Sequence, residues 1–141
     1  MPVRAHGELF GSITSRSVDH RGGLWIGGYQ GAWLIRPSGE RVRIKRDGAR
    51  WPVIDVDRRA VWLVGHSGTR SGAVTTFTKR LYRLDLASGR RVGAPLVLGR
   101  VSTRPPYEFE VFSNAVEAGR GSAWVAGPTP GTITRVHLPT R

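Results

Sequence analysis

The chain has 141 residues, with 19 Gly, 9 Pro and no Cys, and its 22 basic against 10 acidic side chains give a formal charge of +12. The missing cysteine excludes disulfides, thiolate metal sites and a cysteine nucleophile. A chain of this length can still bury enough surface for one core without such staples. Of the basic residues only Lys45 and Lys79 are lysines, and the arginines are scattered, at Arg16, Arg36, Arg58, Arg83, Arg104 and Arg135 among others. The expectation is a diffusely basic surface that attracts polyanions, nucleic acid included, non-specifically. Residues 1–10 carry Arg4 and Glu8 and no continuous apolar run. Neither a secretory leader nor a membrane anchor is expected there, and no window has the ~18 apolar residues of a spanning helix, so the chain as written is expected to be cytoplasmic, with an extracytoplasmic location as the alternative for a truncated N-terminus.

In chain order, the first predicted element is a strand over 8–14 with no neighbours of its own. A first unit over 17–46 follows, with strands at 17–19, 24–28, 31–36 and 40–45. A second unit over 52–98 has strands at 52–57, 60–65, 81–86 and 90–98. A third, over 112–141, has strands at 112–118, 122–127 and 132–138. Segments 66–80 and 99–110 are rich in Ser, Thr, Gly, Arg and Pro and read as loop insertions. The strands are short and alternate apolar with polar residues, as in Leu81-Tyr82-Arg83-Leu84-Asp85-Leu86, and no window carries a helical stripe.

The units share one grammar. Val18-Asp19-His20-Arg21-Gly22-Gly23-Leu24-Trp25-Ile26-Gly27 is matched by Val56-Asp57-Arg58-Arg59-Ala60-Val61-Trp62-Leu63-Val64-Gly65. Both are matched by Glu117-Ala118-Gly119-Arg120-Gly121-Ser122-Ala123-Trp124-Val125-Ala126-Gly127. Four short antiparallel strands repeating at ~40 residues predict the blades of a β-propeller. The stretch from Asp19 to Gly28 resembles the repeat of two-component regulator propellers. Ala60-Val61-Trp62-Leu63-Val64 followed by Leu84-Asp85-Leu86-Ala87-Ser88-Gly89 resembles streptogramin-lyase-like and YVTN-type bacterial blades. This resemblance covers about 17–141 and implies an all-β fold while saying little about ligand.

One tryptophan per unit on the second strand, Trp25, Trp62 and Trp124, is expected to fill the core between blades, since a buried aromatic removes ~150–250 Å² from water. Asp19, Asp57 and Glu117 are expected to accept backbone N–H bonds in the turns that follow them rather than to bind metal. Three blades fall short of the ~4–8 of a closed ring. The all-β fold is therefore expected to be an incomplete propeller, three blades plus an extra strand at 8–14. It is either a fragment of a longer propeller or a homodimer in which residues 8–14 of one copy complete residues 112–138 of the other in a six-bladed ring.

Links from second to third strands, and from one blade to the next, open on one face. That face is expected to carry Tyr29, Gln30, Arg50, Trp51, His66, Arg70, Arg104, Tyr107 and Glu108 as ligand-face candidates. Its basic and aromatic character suits an acidic protein segment, a glycan or a phosphorylated partner. The lyase resemblance implies histidine and glutamate acid–base groups with a divalent metal, but the chain lacks a Glu-x-His pair, and His137 sits in an alternating strand. Nucleophile elbows, phosphate loops and HExxH spacing are absent as well. The reading is therefore a non-catalytic binding or sensory platform with no cofactor and no metal site. The alternatives are a propeller-lyase remnant or a diffusely basic polyanion-binding module.

Overall fold

The computed structural model describes residues 13–28, 31–44, 50–104, 115–127 and 131–137. Among them the chain forms eleven strands and no helix, so no helix is long and apolar enough to cross a membrane. β1 (Ile13–Val18), β2 (Leu24–Gly28), β3 (Gly31–Ile35) and β4 (Arg41–Ile44) make the first sheet in that order. β5 (Arg50–Val56), β6 (Val61–Ser71), β7 (Val74–Leu84) and β8 (Leu96–Thr103) make the second, and β9 (Val116–Gly119), β10 (Ser122–Ala126) and β11 (Ile133–His137) the third. Every pairing is antiparallel between chain neighbours, because each link is short enough for the strand simply to fold back.

Several boundaries differ from expectation, each for a readable reason. The strand expected at 17–19 begins at Ile13, with a register shift between Ile13 and Ser15. Ile13 and Thr14, expected in the extra strand, therefore belong to β1, while residues 8–12 and 112–114 lie outside the described residues. Segment 66–80 is no loop, since β6 and β7 pair continuously from Val61↔Leu84 to Ser71↔Val74. Its Ser and Thr content suggested a loop, yet threonine is β-branched and favours a pleated surface. Gly68 stands directly opposite Phe77 and supplies room for the ring. The lengthened β7 also draws its outer neighbour along, so the strand expected at 90–98 lies instead at Leu96–Thr103.

The second sheet is packed between the other two. Trp25, Ala32, Leu34 and Ile44 of the first sheet meet Ile54, Val61, Leu63, Tyr82 and Leu84 of the second in one buried cluster. Ala60, Trp62, Val64 and Leu81 on its other side meet Ala123 and Val125 of the third. Trp25 is fully buried. Removing such a ring from water is worth at most ~4–6 kcal/mol at ~25 cal/mol per Å². Hydrogen bonds tie the first strands of the sheets to one another: Ile54 N donates to Ser15 Oγ (2.7 Å) and Ser17 Oγ to Asp55 Oδ1 (3.1 Å), while Ala118 N donates to Asp55 Oδ2 (2.6 Å). A Cβ at Gly27 would stand 2.2 Å from Pro52 O, so glycine is what lets β2 lie against β5.

Trp124 corrects the expected set of core tryptophans. It is 46% exposed, whereas Trp25 and Trp62 are buried. Ala123 and Val125 face the second sheet, so strand alternation turns Trp124 to the opposite side, where no fourth sheet stands among the described residues. Arg135 lies over its ring at 4.9 Å.

Candidate functional site: a basic mouth built from three turns

The links between the first and second strands of all three sheets meet at one end of the molecule. They surround an open hollow of about 750 Å³, lined by residues 18–20, 56–59 and 118–121. This is the end opposite the β6–β7 hairpin tip, and so opposite the face on which sequence reasoning placed the ligand.

The first turn is closed by its own acid. Asp19 is buried, and its Oδ1 accepts N–H bonds from Arg21 (2.8 Å) and Gly23 (2.9 Å) while Oδ2 accepts the Trp25 indole N–H (2.8 Å). A Cβ at Gly23 would stand 2.6 Å from Asp19 Oδ2, so only glycine permits this closure. Burial pushes the Asp19 pKa up. The bonds from Trp25, Gly23 and Arg21, together with the nearby His20, outweigh burial and hold it below the usual carboxylate range.

The second turn is one residue shorter. Asp57 Oδ1 accepts N–H bonds from Arg59 (2.6 Å) and Ala60 (3.0 Å), but the buried Asp57 Oδ2 and Trp62 Nε1 have no hydrogen-bond partner. The third turn holds no carboxylate. Glu117, expected to close it, lies on β9 opposite Trp124, in the register position that Ser17 and Asp55 occupy in the other sheets. Here the turn is made by Arg120 (φ 51°) and Gly121 (φ 74°). A left-handed arginine costs ~1–3 kcal/mol, and such strain concentrates where a side chain is held for a purpose.

The exposed side chains round the mouth are those of Val18 and of four basic residues, His20, Arg58, Arg59 and Arg120. The Oδ1 atoms of Asp19 and Asp57, by contrast, are turned into their own backbones. The opening is therefore cationic. A basic residue directly after the acid or glycine in each quoted repeat was the sequence signal for it.

The expected ligand face is only partly described. Tyr29, Gln30, Tyr107 and Glu108 lie outside the described residues, as do the side chains of Arg50 and Trp51. Arg70 and Arg104 are exposed at the same end of the second sheet, with Arg70 Nε bonded to Gly72 O (3.1 Å). His66 does not stand at a loop mouth, because the continued ladder buries it opposite Lys79, with Phe77 edge-on at 5.6 Å. Lys79 is buried too, and its Nζ donates to Ala126 O (2.5 Å); desolvation lowers its pKa. His137 Nδ1 lies 2.9 Å from the buried Ser122 Oγ, its direct cross-strand neighbour. No group of three or more His, Asp or Glu that would suit a metal occurs among the described residues. Comparison of the chain with family models, curated proteins and solved structures gave no match in any of the three.

Proposed function

We propose that the three sheets are successive blades of a β-propeller arc that serves as a non-catalytic binding platform, and that its basic mouth holds an acidic protein segment. The arc reading is supported by the order of contacts. The first strands β1, β5 and β9 touch in sequence, among the described residues each sheet packs on its chain neighbours, and equivalent turns fall at one end. The observation that carries the ligand reading is the convergence of Arg58, Arg59, Arg120 and His20 from three separate turns on one opening. Arginine's planar, multi-donor head suits carboxylates, and a broad, shallow hollow suits an extended acidic peptide.

Fluorescence anisotropy with a labelled glutamate-rich peptide tests this. The triple variant Arg58→Ser/Arg59→Ser/Arg120→Ser is expected to weaken binding about tenfold, taking three exposed pairs at ~0.5 kcal/mol each. Arg70→Ser/Arg100→Ser/Arg104→Ser removes the same charge from the opposite end and is expected to change affinity less than about twofold. Equal losses in both triples would mean diffuse attraction and would refute a site at the mouth.

A further inference from the structure

Each second-strand tryptophan points forward along the stack. Trp25 of the first sheet is buried against the second, and Trp62 of the second against the third. Trp124 has the same orientation on the third sheet but is exposed, over a shallow hollow of about 540 Å³ lined by Glu117, Ala118, Gly119, Arg120, Trp124 and Ile133. The polar clamp beside each tryptophan repeats as well. Ser17, paired with Trp25, donates to Asp55 of the next sheet, and Asp55, paired with Trp62, accepts the N–H of Ala118 in the next. Glu117, paired with Trp124, is the third member of this series and is exposed.

The other end of the stack shows the converse. Val56 and Ala118, the register equivalents of Val18, are half-buried beside the preceding sheet. Val18 has no preceding sheet among the described residues and is 67% exposed. Leu24 beside it is half-buried and occupies the position of Val61 and Ala123, residues that receive the preceding sheet, while Ile26, in the position of Leu63 and Val125, is already buried. The charges are mixed: Glu117 and Arg135 stand on the forward face and the exposed Arg16 next to Val18 on the backward one.

We infer that the forward face of the third sheet docks on the backward face of the first sheet of a second copy of this chain. In that contact Trp124 is buried against Val18 and Leu24 of the second copy, and Glu117 accepts the Val18 N–H as Asp55 accepts that of Ala118. The contact is head-to-tail, so two copies make it twice and bring six sheets into one ring, within the ~4–8 of closed propellers. This inference rests on the arc reading and not on the acidic ligand: a failed peptide titration leaves the mass unaltered, and a monomeric mass leaves the titration readable.

Size-exclusion chromatography with light scattering on the full chain is the test. The expected mass is twice 15.5 kDa. Trp124→Glu and Val18→Arg, both at exposed positions, are each expected to raise the dimer dissociation constant ~30-fold or more, as loss of an interface anchor does, with far-UV circular dichroism unchanged. Mixing the two variants pairs an intact forward face with an intact backward face and is expected to restore dimer in part. Wild-type monomer at every concentration overturns the inference. A dimer broken by Trp124→Glu but not by Val18→Arg also overturns it, because the third sheets would then be packing on each other or on something other than the first.

Discussion

Gly27→Ala is a sharp probe of how the first two sheets interlock. The new methyl would stand 2.2 Å from Pro52 O and 2.9 Å from Ser15 Oγ. Real contacts of this kind do not fall below 3.0 Å, so β2 and β5 must separate by roughly the difference. The obstacle is backbone, and no rotamer change relieves it. Overpacking of this type costs ~1–3 kcal/mol. The same displacement stretches the Ser15–Ile54 and Ser17–Asp55 bonds, now 2.7 and 3.1 Å, to the limit of hydrogen bonding. Those add ~0.5–1.5 kcal/mol each, for a total of ~2–6 kcal/mol, a large share of the ~5–15 kcal/mol that holds an ordinary domain folded. Urea unfolding reads this as a lowered midpoint at unchanged slope. Gly119→Ala is the control, because nothing lies within 4 Å of its added methyl and its backbone is not left-handed; it is expected to stay within ~0.5 kcal/mol of wild type. A Gly27→Ala midpoint equal to that of Gly119→Ala would refute the close β2–β5 approach.

The two core tryptophans are expected to respond differently to loss of the indole nitrogen. Trp25→Phe leaves Asp19 Oδ2 without its donor, whereas Trp62→Phe deletes a buried N–H that has no partner. Trp25→Phe should therefore cost ~1–3 kcal/mol more in urea unfolding, and equal costs would contradict the hydrogen-bond assignment. Asp19→Asn is expected to flatten the acid limb of stability. The folded-state pKa of Asp19 lies below 3.8, so its stabilisation is complete above that pH and is lost as pH falls through the lowered value. Thermal melts between about pH 2 and 5 check this, with Asp85, held low first by the Ser88 hydroxyl and then by the Ser88 N–H, keeping a residual slope in the variant. A variant as acid-sensitive as wild type would show that Asp19 carries none of the limb.

The strand-turn-strand repeat was legible because an acid, a glycine or both mark a short turn a few residues before each tryptophan, and local chemistry decides such turns. That Trp25 and Trp62 are buried followed from the same pattern. The exposure of Trp124 did not, since alternation assigns a side chain to a face but cannot say whether another sheet covers that face. His66 was misplaced for a related reason. Its burial depends on the ladder running on to Ser71, and Ser-Gly-Thr-Arg followed by Ser-Gly-Ala reads locally as loop while pairing with Val74-Thr75-Thr76-Phe77 makes it sheet. The basic mouth as a single opening is not legible in the sequence because its residues are distant in the chain, each in its own short turn, and only stacking brings them to one opening.

That stacking also explains why the mouth is not a symmetric repeat. Had all three units kept the first turn's spacing, each carboxylate would be bonded to its own indole. Only Asp19 achieves this, while Asp57 and Trp62 keep an acceptor and a donor without partners and the third turn replaces the acid by a left-handed arginine. Positive charge is consequently uneven: Arg58 and Arg59 outnumber Asp57 in the second turn and Arg120 stands without an acid in the third, whereas Asp19 offsets Arg21 in the first. An extended acidic segment crossing the hollow would find its most favourable field beside Arg58, Arg59 and Arg120 and its least beside Asp19, and that gradient gives a binding direction that three identical turns could not.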